Sequence, residues 1–166
     1  MKNISLWQYA GFAVTSILAT LLHFVYDWTN KSVLVCPFSA INESTWEHMK
    51  LLFWPMFVFA MIQSLFFKEY KSFWCVKLIG ILTGLVLIPT LFYTLNGILG
   101  KTPDWVNIAI FFVAAAVADI METVLFKNDT VRCRYPWLAF LGICAVAVLF
   151  VVFTFYPPDL PIFVSP

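Results

Sequence analysis

Charged residues are scarce in this chain of 166 residues. Lys and Arg contribute 10 residues and Asp and Glu contribute 9, so charged residues make up 11% of the sequence and the formal net charge is +1. A soluble domain carries about one quarter charged residues, because it needs polar surface to cover its core. Binding to a nucleic-acid backbone requires a strongly basic surface. The composition therefore excludes an ordinary soluble enzyme and a nucleic-acid-binding protein.

Motifs of the common enzyme classes are missing as well. The chain has no GxSxG, no HExxH, no P-loop and no glycine-rich dinucleotide-binding turn. It has four cysteines, but neither a CxxC pair nor a Cys/His spacing typical of a metal site. We therefore expect the cysteines to be structural.

Apolar residues dominate the sequence instead, with 62% hydrophobic and 19% aromatic residues. A helix needs about 20 mostly apolar residues to cross the hydrocarbon layer of a membrane, which is about 30 Å thick. Five segments satisfy this requirement: Leu6–Tyr26, Met49–Phe67, Cys75–Leu95, Trp105–Phe126 and Trp137–Tyr156. The sequence predicts an all-α fold, a single transmembrane domain of five helices that occupies residues 1–166.

The distribution of basic residues predicts how these helices are oriented. Seven of the ten Lys and Arg residues fall on one side of the predicted membrane: Lys2, Lys68, Lys71, Lys77, Lys127, Arg132 and Arg134. The other side carries Lys31, Lys50 and Lys101. Because cytoplasmic loops are enriched in Lys and Arg, we expect the N-terminus in the cytoplasm and the C-terminus outside.

Ionisable residues at the outer ends of the first two spans form the first candidate site. Such groups are costly in hydrocarbon, which makes each one a functional hypothesis. His23 and Asp27 are four residues apart and share a helix face, as do Glu43 and Glu47, and His48 follows directly. If the two helix ends meet, these side chains form a pocket for a small cationic or polar ligand, a proton or a divalent cation.

Some residues of this first candidate site also match motifs that only stabilise a helix. Ser44 and Glu47 match a capping box, in which Glu47 reaches back to the Ser44 amide. Glu47 and Lys50 also have the spacing of a helical ion pair. On this interpretation the five outer residues are separate interfacial groups that share no site.

The second candidate site is an acidic pair in the fourth span, Asp119 and Glu122. Ala115 and Ala118 lie on the same helix face, and small residues allow a neighbouring helix to approach closely. We therefore expect both carboxylates to be buried, with a shared proton or a bound cation. Alternatively, a basic residue neutralises them, the candidates being Lys77, Arg132 and Arg134.

Three segments carry a resemblance to a known group of proteins. They are FSAINESTWEHMKL at residues 38–51, HFVYDW at residues 23–28 and FTFYPP at residues 153–158. The chain resembles an uncharacterised family of small bacterial multi-span membrane proteins with an NESxWEH segment. The resemblance implies five helices in a bacterial cytoplasmic membrane, but no reaction and no catalytic residue.

Three functions stay open on the sequence alone. The first is binding, and in addition translocation, of a small cationic or polar ligand or protons at His23, Asp27, Glu43, Glu47 and His48. The second is a metal-dependent hydrolase that uses the same five residues as metal ligands and general base, with a divalent cation as cofactor. The third is an assembly partner of another membrane protein or of a second copy, with Gly80 and Gly84 as the docking face.

Overall fold

A computed structural model describes residues 3–165 of the protein, apart from the side chain of Asp104. Lys2, which the orientation prediction includes, lies outside the described residues. The described chain forms five long helices, α1 (Ile4–Trp28), α2 (Thr45–Ser64), α3 (Phe73–Leu99), α4 (Asp104–Asn128) and α5 (Pro136–Phe155), followed by a short 3-10 helix (Pro161–Phe163). The predicted all-α fold is confirmed.

Four of the helices, α1, α3, α4 and α5, are long and apolar enough to cross a membrane. The second helix is more polar, because Glu47, His48 and Lys50 lie in its first two turns. It is also strongly enclosed, since 11 of its 20 residues are buried. A helix surrounded by protein needs little apolar surface toward lipid, which explains why α2 combines central packing with lower hydropathy.

Consecutive helices run in opposite directions through the bundle. At one end, His23 near the end of α1 faces His48 near the start of α2, with 6.2 Å between the ring centroids. At the other end, Gln8 near the start of α1 donates a hydrogen bond to Glu122 near the end of α4. We call these the histidine end and the Glu122 end of the bundle.

Two glycines bring α3 close to its neighbours. A Cβ atom at Gly80 would collide with the Glu122 carboxyl group on α4. A Cβ atom at Gly84 would lie 2.7 Å from Leu52 Cδ2 on α2 and 3.3 Å from Ala118 Cβ on α4. The chain's own helices therefore occupy this face, and the two glycines do not form the outward docking face that the assembly hypothesis requires.

The connection between α1 and α2, residues 29–44, folds over the start of α2. Trp54 Nε1 donates to the Pro37 carbonyl oxygen at 2.7 Å, and Lys50 Nζ donates to the Cys36 carbonyl oxygen at 2.7 Å. From the C-terminal segment, Phe163 packs on Trp46 with 4.7 Å between ring centroids. The loop and the tail together cover the histidine end of α2.

A disulfide joins Cys75, in the first turn of α3, to Cys133, in the segment between α4 and α5. Cys36 and Cys144 are free. The pairing was not predicted, because two cysteines separated by 58 residues show no spacing signal in the sequence.

Candidate functional site

At the histidine end, Glu43 lies between two imidazoles. Its Oε1 atom is 3.6 Å from His23 Nε2, and its Oε2 atom is 3.7 Å from His48 Nε2. The exposed fraction is 65% for Glu43, 30% for His23 and 17% for His48. The structure therefore brings together three of the five residues predicted for this site, in a partly solvated position.

Local hydrogen bonds at the start of α2 hold these groups in place. Ser44 is the N-cap, and its Oγ atom accepts a hydrogen bond from the Glu47 amide at 3.4 Å. The Ser44 amide in turn donates to Asn42 Oδ1 at 2.8 Å. His48 Nδ1 lies 3.0 Å from the Ser44 carbonyl oxygen, which can only accept, so Nδ1 carries the hydrogen of this bond.

A cavity of about 410 Å³ opens beside the two imidazoles, and α1, α2, α3, α4 and the loop before α4 contribute to its walls. Its lining residues are His23, Glu43, His48, Phe92, Asn96, Lys101, Thr102, Asn107 and Ile108. We call this cavity the histidine pocket. Its volume is in the range of small-molecule sites.

Sequence reasoning missed the polar residues that α3 and α4 add to this pocket. Asn96 Oδ1 accepts hydrogen bonds from the Thr102 amide at 2.9 Å and from Thr102 Oγ1 at 3.1 Å, which fixes the loop that carries Lys101. Asn107 Oδ1 is buried, and no hydrogen-bond partner for it exists among the described residues. A single asparagine carries no spacing signal, so only the fold could identify these residues.

Glu47 and Asp27, the other two predicted residues, do not join the pocket. Glu47 is 2% exposed, and its Oε2 atom lies 2.6 Å from Lys50 Nζ and accepts from the Ile41 amide at 2.9 Å. The helical ion pair is confirmed, but Glu47 does not reach back to the Ser44 amide, so only the Ser44 half of the capping box forms. Asp27 is exposed at the end of α1 and is not among the residues that line the pocket.

The metal prediction for His23, Asp27, Glu43, Glu47 and His48 finds no support in this geometry. Within residues 3–165, no group of three or more His, Cys, Asp or Glu side chains is arranged to hold a metal ion. The separation of Glu47 and Asp27 from the pocket is the physical reason why the five predicted ligands do not converge.

A buried polar network occupies the Glu122 end. Gln63 Nε2 donates to Gln8 Oε1 at 2.9 Å, and Gln8 Nε2 donates to Glu122 Oε2 at 2.6 Å. Lys77 Nζ donates to the same Glu122 oxygen at 2.5 Å. Each of these four side chains is at most 4% exposed and comes from a different helix. We call these four residues the Glu122 network.

Lys77 is the basic residue that neutralises Glu122. Its Nζ atom also lies 6.0 Å from the Phe59 ring centroid and 5.9 Å from the ring centroids of Phe73 and Phe126. Aromatic faces stabilise a cation at such distances. The predicted neutralisation of Glu122 is therefore confirmed, with Lys77 as the partner.

Asp119, one turn before Glu122, lines a groove of about 310 Å³ between α1 and α4. Gln8, Tyr9, Thr123 and Lys127 also line this groove. Asp119 Oδ2 is buried and has no hydrogen-bond partner among the described residues. The acidic pair therefore has two different environments: Glu122 is paired with a lysine, and one Asp119 oxygen is left without a partner.

Comparison with known proteins identifies a family but no activity. No curated protein and no solved structure matches the chain. The prediction of an uncharacterised family is confirmed by a family model that matches residues 1–166. The chain thus belongs to the family of unknown function DUF6512.

Proposed function

We propose that the chain is a multi-pass protein of a bacterial cytoplasmic membrane in which all five helices span the bilayer. The support for α2 as the fifth span is its position. Its 20 residues correspond to about 30 Å of helix, which matches the hydrocarbon thickness. Its first turns carry His48 at the histidine end, and its last turn carries Gln63 in the Glu122 network.

The Glu122 end is the cytoplasmic end in this proposal. Six described basic residues lie near it: Lys68, Lys71, Lys77, Lys127, Arg132 and Arg134. The enrichment of basic residues in cytoplasmic loops supports this orientation. The N-terminus then lies in the cytoplasm, and the histidine pocket and the C-terminus face outside.

We propose further that the histidine pocket binds a small ligand with a cationic, hydrogen-bond-donating group such as an amine. The observation that carries this proposal is the position of Glu43 between two imidazoles at the edge of a 410 Å³ cavity. In the neutral form of the ring, the hydrogen on His48 Nδ1 leaves Nε2 as an acceptor that faces the Glu43 carboxylate. Two acceptors that face each other favour a donor between them.

The Glu43 carboxylate makes no direct hydrogen bond to either imidazole. Separations of 3.6 and 3.7 Å between the imidazole nitrogens and the Glu43 oxygens exceed those of a direct hydrogen bond. Asn107 Oδ1 adds a buried acceptor without a partner in the described chain. An ammonium group donates three hydrogens and carries the charge that Glu43 attracts. Lys101 supplies a donor for a hydroxyl or other acceptor on the same ligand.

Ethanolamine is a suitable probe, since it combines an ammonium group with a hydroxyl. We expect ethanolamine to raise the midpoint of thermal unfolding, Tm, of the purified protein in mild detergent in a saturable way, because a ligand that binds only the folded state stabilises it. Ethylene glycol, which lacks the charge, should have no saturable effect. Glu43→Gln should lower the affinity for ethanolamine about tenfold or more, because a hydrogen bond to a charged group contributes about 1.5–3 kcal/mol. The ethanolamine concentration that gives half of the Tm rise measures this change.

The matched control is Glu69→Gln, which removes an exposed carboxylate near the opposite end of the bundle. Equal ethanolamine responses of Glu43→Gln and Glu69→Gln would contradict the proposal. Stoichiometric zinc retained by the purified protein and lost in His23→Ala would favour the hydrolase instead.

Translocation of the same ligand is the second part of the proposal. Uptake of labelled ethanolamine into proteoliposomes should exceed uptake into empty liposomes and should fall with Glu43→Gln. Binding without uptake would restrict the function to ligand binding.

A further inference from the structure

The Glu122 network contains two buried acceptor atoms that no described donor reaches. Gln8 and Lys77 both donate to Glu122 Oε2, and the other carboxyl oxygen, Oε1, is turned toward Gly80. In the described part of the chain, neither Glu122 Oε1 nor Gln63 Oε1 has a hydrogen-bond partner, although both side chains are fully buried. A buried acceptor without a donor is costly, so such a network favours an additional bound species.

The charges specify what kind of species is missing. Glu122 and Lys77 form one neutral pair, and Asp119 adds a carboxylate whose Oδ2 atom is buried without a partner among residues 3–165. The other titratable groups around it are Tyr9 on α1 and Lys127 on α4, which line the groove. An uncompensated carboxylate between helices is unfavourable at membrane depth. Lys127 is exposed to solvent, so the charges held between the helices are those of the two acids and Lys77. One monovalent cation neutralises these three groups, whereas a divalent cation leaves a net charge of +1.

The groove between α1 and α4 provides access to this position. It extends from Ser5 and Lys127, near the Glu122 end of the bundle, to Phe12 and Ala116, and Asp119 lies along its wall. Gly11 on α1 lies next to the carboxylate, because a Cβ atom there would be at van der Waals distance, 3.6 Å, from Asp119 Oδ1. A small ion from the Glu122 side thus reaches Asp119 without crossing the bundle.

We propose that Asp119 and the neighbouring Glu122 network form a binding site for one monovalent cation, a proton or Na⁺, which enters through the groove between α1 and α4. The site is independent of the histidine pocket, because it lies at the opposite end of the bundle and uses none of the same residues. A proton binds by forming a covalent O–H bond on Asp119, whereas Na⁺ is coordinated by carboxyl and amide oxygens.

The sodium arm of the test measures Tm of the purified protein in NaCl and in choline chloride at equal ionic strength and fixed pH. For Na⁺ as the occupant, we expect a saturable rise of about 3 °C or more in NaCl. Asp119→Asn, which keeps the shape of the side chain, should abolish the rise. Asp129→Asn is the matched control, since it removes the same charge from an exposed residue just beyond α4 and should retain the rise.

The proton arm uses infrared difference spectra between high and low pH in solutions without sodium. For a proton as the occupant, we expect a C=O stretching band of a protonated carboxyl group that is present in the wild type and in Asp129→Asn and absent in Asp119→Asn.

The proposal is overturned when Asp119→Asn and Asp129→Asn give the same result in both arms. A sodium-dependent rise in Tm that survives in Asp119→Asn shows that Na⁺ does not bind at Asp119. The proposal is then overturned unless the infrared band shows a proton on Asp119. Ethanolamine binding depends on Glu43, so neither outcome depends on the ligand proposed for the histidine pocket.

Discussion

At the scale of single residues, two lysine–carboxylate pairs are buried at opposite ends of the bundle. Lys50 Nζ lies 2.6 Å from Glu47 Oε2, and Lys77 Nζ lies 2.5 Å from Glu122 Oε2, with every side chain at most 4% exposed. A buried charge is tolerated only with a partner and with hydrogen bonds for its remaining polar atoms. Lys50 meets this requirement through the Cys36 carbonyl and Thr154 Oγ1, which tie the first loop and α5 to α2.

We expect Lys50→Met to lower the free energy of unfolding by about 3–5 kcal/mol, because it leaves the Glu47 carboxylate buried without a counter-charge. Thermal unfolding in mild detergent, followed by tryptophan fluorescence, measures this loss. The double variant Glu47→Gln, Lys50→Met should recover part of the stability, since no charge is then left unpaired. Lys68→Met, at an exposed lysine, is the control. A stability of Lys50→Met equal to that of Lys68→Met would contradict the expected role.

At the scale of elements, α3 is the helix whose packing depends most clearly on glycine. Gly80 allows the Glu122 carboxyl group to lie against the α3 backbone, and Gly84 accommodates Leu52. Gly97, further along the same helix, has open space where its Cβ atom would be. The helix therefore offers an internal comparison between a glycine needed for packing and a glycine that is not.

We predict that Gly80→Ala destabilises the protein by about 1–3 kcal/mol, the usual cost of overpacking a close contact. Gly97→Ala should be neutral or stabilise the protein by up to about 1 kcal/mol, because alanine is the better helix former and meets no neighbour. The two Tm values, measured side by side, check this prediction. Equal effects of the two substitutions would show that Glu122 does not need the space at Gly80.

At the scale of the whole molecule, the antiparallel course of five helices places two polar sites at opposite ends. Odd-numbered helices begin at the Glu122 end, and even-numbered helices begin at the histidine end. With five spans, the two termini lie on opposite sides of the membrane. The contacts of α2 at both ends of the bundle support the proposed five-span arrangement.

Fusions to alkaline phosphatase, which is active only outside the cytoplasm, test this topology. We expect activity for fusions after Lys31 and after Pro166 and none for a fusion after Asp129. Inactivity after Pro166 together with activity after Asp129 would contradict the five-span arrangement with a cytoplasmic N-terminus.

Most of the fold was predictable, because apolar runs of about 20 residues predict long helices directly. The predicted segment Trp105–Phe126 lies within α4 (Asp104–Asn128), and the largest error is at α2, which begins at Thr45 rather than Met49 and ends at Ser64 rather than Phe67. The Ser44 cap explains the earlier start, because a capped turn is helical whether or not it is apolar.

The candidate sites were predictable only in part. The sequence by itself determined the all-α fold, the low proportion of charged residues and the short set of ionisable residues that are candidates for a function. Only the tertiary structure decided which of them meet, because the direction of a side chain on a helix depends on which neighbour the helix packs against. It separated Glu47, which pairs with Lys50, from His48, which faces Glu43, although Glu47 and His48 are adjacent in sequence. Successive helical residues point about 100° apart, so neighbours in the chain belong to different sites.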